Sequence, residues 1–484
     1  MKILLVSSEV APFAKTGGLA DVAGSLPRAL RQSGHDVRIM LPCYKAVEEH
    51  GFSLRKGRKS VEIPIDGTLR KGLLRQSTLE NVPVYFLENR EFFHREGLYG
   101  TAAGDYPDNA QRFGFFCRAV LEMLRRLDFR PDILHLNDWQ TSLIPVLLRT
   151  ELKNDPFFSS IGTLLTIHNL GYQGLFPPTV LTSLGLDPGL FKVSGLEFYG
   201  QVSLLKGGVL YADILSTVSP TYCREIQTPE MGLGFDGILA GRKTALYGVL
   251  NGLDQKLWDP ALDTTLPVAY SAADLRGKAA NKKALQKELG LEAASATPVV
   301  AMVTRLDTQK GLDLVVEAWE KLIGHDLQFV LLGTGDQEHM NRFARLKGLY
   351  PGRVSIQLQF DDALARRIYA GSDIFLMPSR YEPCGLGQLI ALRYGTIPLV
   401  RKTGGLADTV TDPTEDPQKA NGFTFKEATA PALLAALERA LNLYADRRAW
   451  LKLVKRGMGQ DLSWSTSAQR YLELYQKAAE VRGG

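Results

Sequence analysis

Short apolar runs alternate with stretches of helical period along this chain, and no other feature constrains the fold as strongly. The first four runs, each bounded by turn residues, cover residues 2–7, 132–137, 163–169 and 213–219. Helical periodicity is clear over residues 20–34 and 109–127. Strands that are apolar along their whole length are typical of a parallel sheet covered by helices on both faces, so the pattern predicts an α/β fold.

The pattern stops near the middle of the chain and then restarts. Residues 259–274 are rich in Pro, Ala, Ser and Thr and are interpreted as a linker. Beyond them, further strands are predicted at residues 298–306, 327–335, 354–360, 373–379 and 396–400. Because 484 residues exceed what one core usually organises, we expect two doubly wound, Rossmann-like domains. An amphipathic helix is predicted at residues 463–484.

Composition and charge exclude several classes of protein. No apolar run approaches the ~18 residues of a membrane helix, so no membrane partner is expected. The N-terminal run Ile3–Val6 is shorter than a secretory signal core and is interpreted as a first buried strand, which favours a cytoplasmic location. The net charge of +5 comes without a dense Lys/Arg block, which disfavours nucleic acid and suits a small anionic substrate.

The residues that usually bind metals show no metal-binding pattern. The cysteines at 43, 117, 223 and 384 form no C-x-x-C pair, and neither H-E-x-x-H nor D-x-D occurs. We therefore expect no metal and no cofactor.

One heptapeptide, KTGGLAD, occurs twice, at residues 15–21 and 402–408. The first copy follows the first predicted strand, at the turn where parallel sheets usually bind phosphate. Gly17 and Gly18 would let the backbone approach an anion at a helix N-terminus, and Lys15 would add a full charge. The segment therefore predicts a contact with a diphosphate or sugar phosphate; the alternative is a tight turn with a solvated lysine.

The second copy also follows a predicted strand, but no comparable helix dipole is aimed at a ligand there. For Lys402 a structural role is the favoured interpretation, while Gly404 and Gly405 could either hold a turn or contact the donor. Two Rossmann-like domains would leave a cleft between them, and the two copies could border it from opposite sides.

Three other segments carry candidate chemistry. In PSRYEPCGLG a strand ends before a turn that puts Glu382 beside a helix N-terminus near Gly385. In TRLDTQKG, Arg305 and Lys310 could clamp a diphosphate as it leaves. In TIHNLGYQG, His168 ends a strand. The alternatives are a helix-capping Glu382, a surface position for either cation and a structural histidine.

Taken together, these motifs resemble those of bacterial glycogen synthases and plant starch synthases, the ADP-glucose-dependent glucan glucosyltransferases. The resemblance runs end to end through KTGGLADV (15–22), HLNDWQ (135–140), TIHNLGYQG (166–174), LKGGVLYAD (205–213), TVSPTY (217–222), LNGLD (250–254), TRLDTQKGLDLV (304–315), PSRYEPCGLGQL (378–389) and RKTGGLADTV (401–410). The chain begins at its first strand, without the long extension of starch synthases, so the bacterial glycogen enzyme is the expected relative.

The resemblance implies a GT-B fold, with two Rossmann-like domains facing across a deep cleft and the C-terminal helix crossing back to the first. The implied boundaries are 1–257 for the acceptor side, 258–460 for the nucleotide-sugar side and 461–484 for the crossing helix. The implied activity is retaining transfer of glucose from ADP-glucose to the non-reducing 4-hydroxyl of an α-1,4-glucan (glycogen).

The resemblance also implies a set of site residues. Lys15 corresponds to the family's ADP-glucose-binding lysine, Glu382 to the carboxylate that holds the donor glucose, and Phe360 to a tyrosine that stacks on adenine. The implied catalytic residues are His168, Glu382, Arg305 and Lys310, and the implied substrate-binding residues are Lys15, Gly17, Gly18, Asp138, Asn251, Phe360, Cys384, Gly385 and Leu386.

Three positions depart from the family's pattern. Gln140 replaces a usual histidine, Gly387 replaces a common threonine, and Ile390 stands where the broader group has a second glutamate. Without a convincing second carboxylate, same-face attack is favoured over double displacement. The alternatives are a pyridoxal-phosphate glucan phosphorylase, a glucan-binding protein with a dead site, and a nicotinamide oxidoreductase, which the missing G-x-G-x-x-G disfavours.

Overall fold

The computed structural model describes residues 1–101 and 103–483, which divide into two compact units. Unit 1 contains Met1–Gly252 together with the C-terminal segment that begins at Trp464, and unit 2 contains Leu253–Ser463. Within the described residues no helix is both long and apolar enough to cross a membrane.

The secondary structure of unit 1 is mixed. Its strands are β1 (Lys2–Val6), β2 (Asp36–Pro42), β3 (Arg55–Ile65), β4 (Thr68–Leu79), β5 (Val82–Glu88), β6 (Gly100–Thr101), β7 (Gly104–Asp105), β8 (Ile133–Asn137), β9 (Gly162–Ile167), β10 (Leu175–Phe176), β11 (Glu197–Phe198), β12 (Gln201–Ser203), β13 (Ile214–Thr217) and β14 (Leu246–Gly248). Its helices up to residue 252 are α1 (Gly18–Gln32), α2 (Lys45–Glu49), α3 (Arg90–Phe93), α4 (Asn109–Leu127), α5 (Leu143–Arg149), α6 (Val180–Ser183), α7 (Leu204–Tyr211), α8 (Pro220–Glu225) and α9 (Asp236–Gly241), with short 3-10 turns at Trp139–Thr141 and Pro188–Leu190.

The main sheet of unit 1 has the strand order β14-β13-β9-β8-β1-β2-β5-β4-β3. It is parallel from β14 to β5, and every residue of β8 and β9 is buried, as their apolar sequences predict. The strand order reverses between β1 and β8. In doubly wound sheets a ligand binds outside the carboxyl ends of the strands at this switch point, so the loops after β1 and β8 form the expected site.

The long antiparallel hairpin β3–β4 at the edge of this sheet was not predicted. Its outer strand begins with RKGRK at residues 55–59, in which all four basic side chains are exposed. The expectation that the chain has no dense Lys/Arg block is therefore wrong for this strand. Charged side chains on an edge strand oppose pairing with other chains, which accounts for the cluster structurally.

Unit 2 is a second α/β unit. Its strands are β15 (Val299–Val303), β16 (Gln328–Leu332), β17 (Val354–Gln357), β18 (Ile374–Met377), β19 (Ile397–Arg401) and β20 (Phe423–Phe425). Its helices are α10 (Arg276–Glu288), α11 (Leu312–Gly324), α12 (Gln337–Leu346), α13 (Asp362–Gly371), α14 (Gly387–Arg393), α15 (Gly404–Thr409), α16 (Ala430–Ala445) and α17 (Arg447–Met458), with a 3-10 turn at Thr308–Lys310.

The sheet of unit 2 is parallel throughout and has the strand order β17-β16-β15-β18-β19-β20. In chain order, β15, β16 and β17 are added toward one edge of the sheet, and β18, β19 and β20 are added toward the other edge. The switch point lies between β15 and β18, so the loops that follow these two strands form the expected ligand site of this unit.

The interpretation of residues 259–274 as a linker is wrong. Leu266 and Tyr270 are buried in the core of unit 2. Asp263 accepts a hydrogen bond from the Tyr394 hydroxyl at 2.5 Å and lies 3.4 Å from the Arg366 guanidinium. The segment lacks periodicity because it is an irregular loop held by a carboxylate and buried side chains, and composition alone does not distinguish such a loop from a linker.

The C-terminal helix α18 (Trp464–Gly483) packs on unit 1. Tyr475 is fully buried, and its hydroxyl lies 2.8 Å from Nδ1 of His135 on β8. The Arg482 side chain contacts Asp213, with Nε 2.8 Å from Oδ1. The last helix thus returns to the first unit, as the GT-B fold requires.

Candidate active site

A buried carboxylate organises the loop between β1 and α1 in unit 1. Glu9 is 4% exposed. Its Oε2 accepts the N–H groups of Thr16 at 2.5 Å and Gly17 at 3.1 Å, and its Oε1 accepts the hydroxyls of Thr16 at 2.6 Å and Tyr99 at 2.7 Å. The anion position beside the start of α1 is therefore occupied by the protein's own side chain. This differs from the expectation that the N–H of Gly17 faces a ligand.

Lys15 and Gly18 lie on the outer side of the same loop. The Lys15 side chain is 48% exposed, and its Nζ lies 2.7 Å from Oδ1 of Asp21. Gly18 is exposed at the first position of α1. Glu9 thus fixes the loop from inside while the lysine extends outward, where a surface ion pair of this kind is weak enough to exchange for a ligand.

Asp138 follows β8 directly and has a left-handed backbone, with φ of 55°. Its N–H donates to the carbonyl of Thr166 at 3.0 Å, and its Oδ1 accepts the N–H of His168 at 2.7 Å. Burial raises the pKa of Asp138 to about 7, and the nearby charge of Glu9 acts in the same direction. The strained turn therefore joins the ends of β8 and β9 through a carboxyl group that is protonated in part near neutral pH.

His168 is neutral in this environment. Its Nε2 lies 2.8 Å from Oδ1 of Asn137, whose amide nitrogen donates to the carbonyl of Val6 at 3.0 Å. Because the asparagine oxygen can only accept, Nε2 of His168 carries the proton and Nδ1 keeps its lone pair. Burial lowers the pKa of His168 to about 3. The imidazole is therefore a hydrogen-bond acceptor at Nδ1 and not a cation.

Asn251 lies near the end of unit 1, after β14. The residue is 9% exposed, and its Oδ1 is buried without a hydrogen-bond partner among the described residues. A buried acceptor left without a donor costs about 1–3 kcal/mol, so this oxygen is suited to receive a ligand hydroxyl.

At the switch point of unit 2, Lys310 and Glu382 form a direct ion pair. Nζ of Lys310 lies 2.8 Å from Oε2 of Glu382, and the Ser379 hydroxyl donates to the same oxygen at 2.9 Å. The Lys310 and Glu382 side chains are only 16% and 8% exposed. From the sequence, Lys310 was expected to contact the diphosphate and Glu382 the sugar, whereas in the structure the two side chains pair in one buried cluster.

The second KTGGLAD segment supports the loop that carries Glu382. The N–H of Gly405 donates to the carbonyls of Glu382 and Pro383, each at 3.1 Å. A Cβ atom at Gly404 would lie 1.9 Å from the Glu382 carbonyl oxygen, and one at Gly405 would lie 2.1 Å from that of Cys384. The two glycines are therefore required by close backbone packing, and this copy holds a turn.

We expect Gly405→Ala to lower the free energy of unfolding by about 2–3 kcal/mol, because the added methyl group meets backbone atoms that cannot rotate away. Turnover should fall as well, since the displaced backbone carries Glu382. Urea denaturation and steady-state kinetics measure the two effects. Gly324→Ala is the matched control, because a Cβ there meets nothing within 4 Å; equal stability of the two variants would contradict the packing argument.

The turn after Glu382 is held by one side chain. Gly385 has φ of 72°, and the Gln388 amide nitrogen donates to the carbonyls of Cys384 and Gly385, both at 3.0 Å. The helix α14 starts at Gly387, so Leu386 caps it. Gln388 fixes the backbone on which three predicted substrate-binding residues lie.

Arg305 and Phe360 follow the carboxyl ends of β15 and β17 and are exposed. The Arg305 side chain is 52% exposed, with its guanidinium 3.2 Å from Asp307 and 3.4 Å from Oε1 of Gln309. Phe360 is 87% exposed. A cation and an open aromatic face at this edge are the groups that a nucleotide diphosphate needs.

Four residues that organise the site were not predicted as site residues from the sequence: Glu9, Asn137, Ser379 and Gln388. Each hydrogen-bonds a predicted residue or its loop, and each is buried. The one sequence signal for such residues is a polar side chain at the end of an apolar run. This signal identifies Glu9 and Asn137 better than Ser379 and Gln388.

Two family models match this chain. Residues 2–241 match the starch synthase catalytic domain, and residues 288–456 match glycosyl transferases group 1. The chain is 59% identical to the glycogen synthase of Syntrophotalea carbinolica over 99% of both chains. It is 56% identical to the glycogen synthase of Geotalea daltonii over the full length of both.

A solved structure is also closely similar. The catalytic domain of starch synthase IV from Arabidopsis thaliana, bound to ADP and acarbose, matches with a TM-score of 0.92 and 38% identity over 99% of each chain. The similarity therefore extends over both units.

Proposed function

The chain belongs to the glycogen synthase family of glucosyltransferases, and from this premise we propose that it transfers glucose from ADP-glucose to the non-reducing 4-hydroxyl of an α-1,4-glucan such as glycogen, retaining the anomeric configuration and releasing ADP. The observation that carries the proposal is the buried Lys310–Glu382 pair at the switch point of unit 2. The ADP held by the similar starch synthase supports the choice of nucleotide.

Fixed cations stabilise the departing diphosphate in this proposal. Breaking the anomeric C–O bond puts the negative charge of the leaving group on ADP, and preorganised positive groups lower the barrier for that step. Lys310 is held by Oε2 of Glu382, which also accepts the Ser379 hydroxyl, so the lysine needs little reorganisation. Arg305 and Lys15 are more exposed, and each would exchange its surface partner for a phosphate oxygen.

Acceptor atoms orient the glucose ring. Glu382 retains a second carboxylate oxygen for a sugar hydroxyl while Oε2 binds Lys310. His168 offers the lone pair of Nδ1, and Asn251 offers its buried Oδ1. These acceptors select the hydroxyl-rich ring and fix the face of the anomeric carbon that is attacked. Phe360 supplies a face for adenine.

Retention follows from attack on the face that the diphosphate leaves. The acceptor 4-hydroxyl bonds to the anomeric carbon as the bond to the diphosphate oxygen breaks, and the hydroxyl proton passes to that oxygen. This route requires no carboxylate nucleophile on the opposite face, in agreement with the absence of a convincing second carboxylate in the sequence.

A coupled assay that offers ADP-glucose and UDP-glucose separately, with glycogen as primer, tests the proposal. We expect release of ADP from ADP-glucose with incorporation of glucose into the glycogen, and a kcat/KM for UDP-glucose at least tenfold lower. Preference for UDP-glucose would overturn the donor assignment, and absence of transfer from either donor would overturn the activity.

A further inference from the structure

Tyr199 on unit 1 combines two features that folding alone disfavours. Among the described residues, six other than glycine have positive φ, and only Tyr199 and Leu233 of these have an apolar side chain. Tyr199 has φ of 50° and is 80% exposed. A left-handed backbone is strained for a bulky residue, and such strain is concentrated where ligands bind.

The two strained residues belong to one surface. The Tyr199 ring packs against Gly234, where an added Cβ would lie 3.0 Å from Cε2, and edge-on against Phe198, with ring centroids 4.7 Å apart. Leu233, with φ of 48°, is 50% exposed, and its carbonyl accepts the side-chain amide of Gln173 at 3.1 Å. The ring of Tyr199 therefore contacts Gly234 and Phe198 on one side while most of it faces solvent.

This surface continues from a loop of the candidate active site. Tyr172, which is 53% exposed, precedes Gln173 in the segment that begins at His168. We name the surface formed by Tyr172, Tyr199 and Leu233 the aromatic platform.

The charge around the platform restricts its ligand. No Lys or Arg lies within six residues of Tyr172, Tyr199 or Leu233 along the chain, whereas Glu197, Glu230 and Asp236 do; the exposed cations Lys192 and Arg224 lie further along the chain. This local charge disfavours a polyanion such as nucleic acid. Exposed aromatic faces beside amide and hydroxyl groups instead suit a neutral, hydroxyl-rich polymer with apolar ring faces.

We propose that the aromatic platform binds the α-glucan chain beyond its reacting end, with Tyr199 stacking on a sugar ring. This rests on the proposed function, and it adds an accessory acceptor-binding surface outside the residues that contact the donor. The platform lengthens the time for which a long glucan stays bound to the enzyme, and it does not contact the reacting atoms.

Native electrophoresis of the full chain in gels that contain glycogen tests whether the platform binds glucan. No sugar donor is present, so binding is measured without glucose transfer. We expect Tyr199→Gly to weaken retardation by glycogen about fivefold, the value of one aromatic contact, and Tyr199→Phe to retain most of it. Because glycine is the favoured residue at this φ, the melting temperature of Tyr199→Gly should be equal or higher. In kinetics, KM for glycogen should rise about fivefold while kcat stays unchanged.

Leu349→Ala is the control, since Leu349 is 61% exposed and belongs to unit 2, whereas the platform belongs to unit 1. Equal retardation of wild type and Tyr199→Gly, or no retardation of wild type, would overturn the proposal. Tyr199-dependent retardation by DNA instead of glycogen would also overturn it. A wild type that glycogen retards but that transfers no glucose would refute the proposed activity and leave the platform supported.

Discussion

Lys310→Met is expected to reduce kcat about 10²–10³-fold with ADP-glucose. The substitution keeps the length of the side chain and removes a largely buried cation at the switch point of unit 2, 2.8 Å from Glu382. Loss of a single preorganised electrostatic group in an enzyme site costs a factor of this size. Steady-state kinetics over a range of donor concentrations measure kcat and KM separately.

The same substitution also leaves the carboxylate of Glu382 buried without its cation, which should cost about 3 kcal/mol of folding stability. The double variant Lys310→Met with Glu382→Gln separates the two effects. It removes the uncompensated charge, so its stability should return toward that of the wild type, while its activity should remain low. Recovery of activity together with stability would show that the pair is structural and would contradict a role in catalysis.

The fold class was predictable because the sheet of unit 2 and the part of the unit 1 sheet from β14 to β5 consist of largely buried parallel strands. Continuous apolar runs such as β8 and β9 can be recognised in the sequence, whereas the order of the strands in the sheet was not predicted. The β3–β4 hairpin was not predictable in this way, because its outer strand is largely exposed and basic. Residues 259–274 were misinterpreted because a loop held by Asp263 has the composition of a linker.

The candidate site was predictable to the extent that its residues follow strands. His168 and Asp138 are adjacent because β8 and β9 are parallel neighbours, and Glu382 meets Lys310 because β15 pairs with β18. The sequence does not show which side chains pair with one another in the folded site. The hydrogen bond from the Gly17 N–H to Glu9, for example, requires the loop to turn back on itself, and no local sequence pattern indicates that turn.

The two identical heptapeptides provide a matched pair of substitutions with opposite expected results. Lys15→Ala should reduce kcat/KM for ADP-glucose by about 10- to 150-fold, which corresponds to the ~1.5–3 kcal/mol of a hydrogen bond to a charged group. Its stability should change little, because the Lys15–Asp21 pair is exposed. Lys402 lies in the same sequence but pairs with Glu415 at 2.5 Å, beside a turn held by Gly404 and Gly405.

Lys402→Ala should therefore leave kcat/KM within about twofold of the wild type, because its surface ion pair contributes at most about 1 kcal/mol and only to stability. The pair of variants separates the effect of position in the fold from that of local sequence, since the six residues that follow each lysine are identical. If both alanine variants lost activity equally, or if Lys15→Ala kept wild-type kinetics, Lys15 would have no special contact with the donor. The proposed contact of Lys15 with the donor therefore depends on its place after β1, at the switch point of unit 1, which Lys402 does not share.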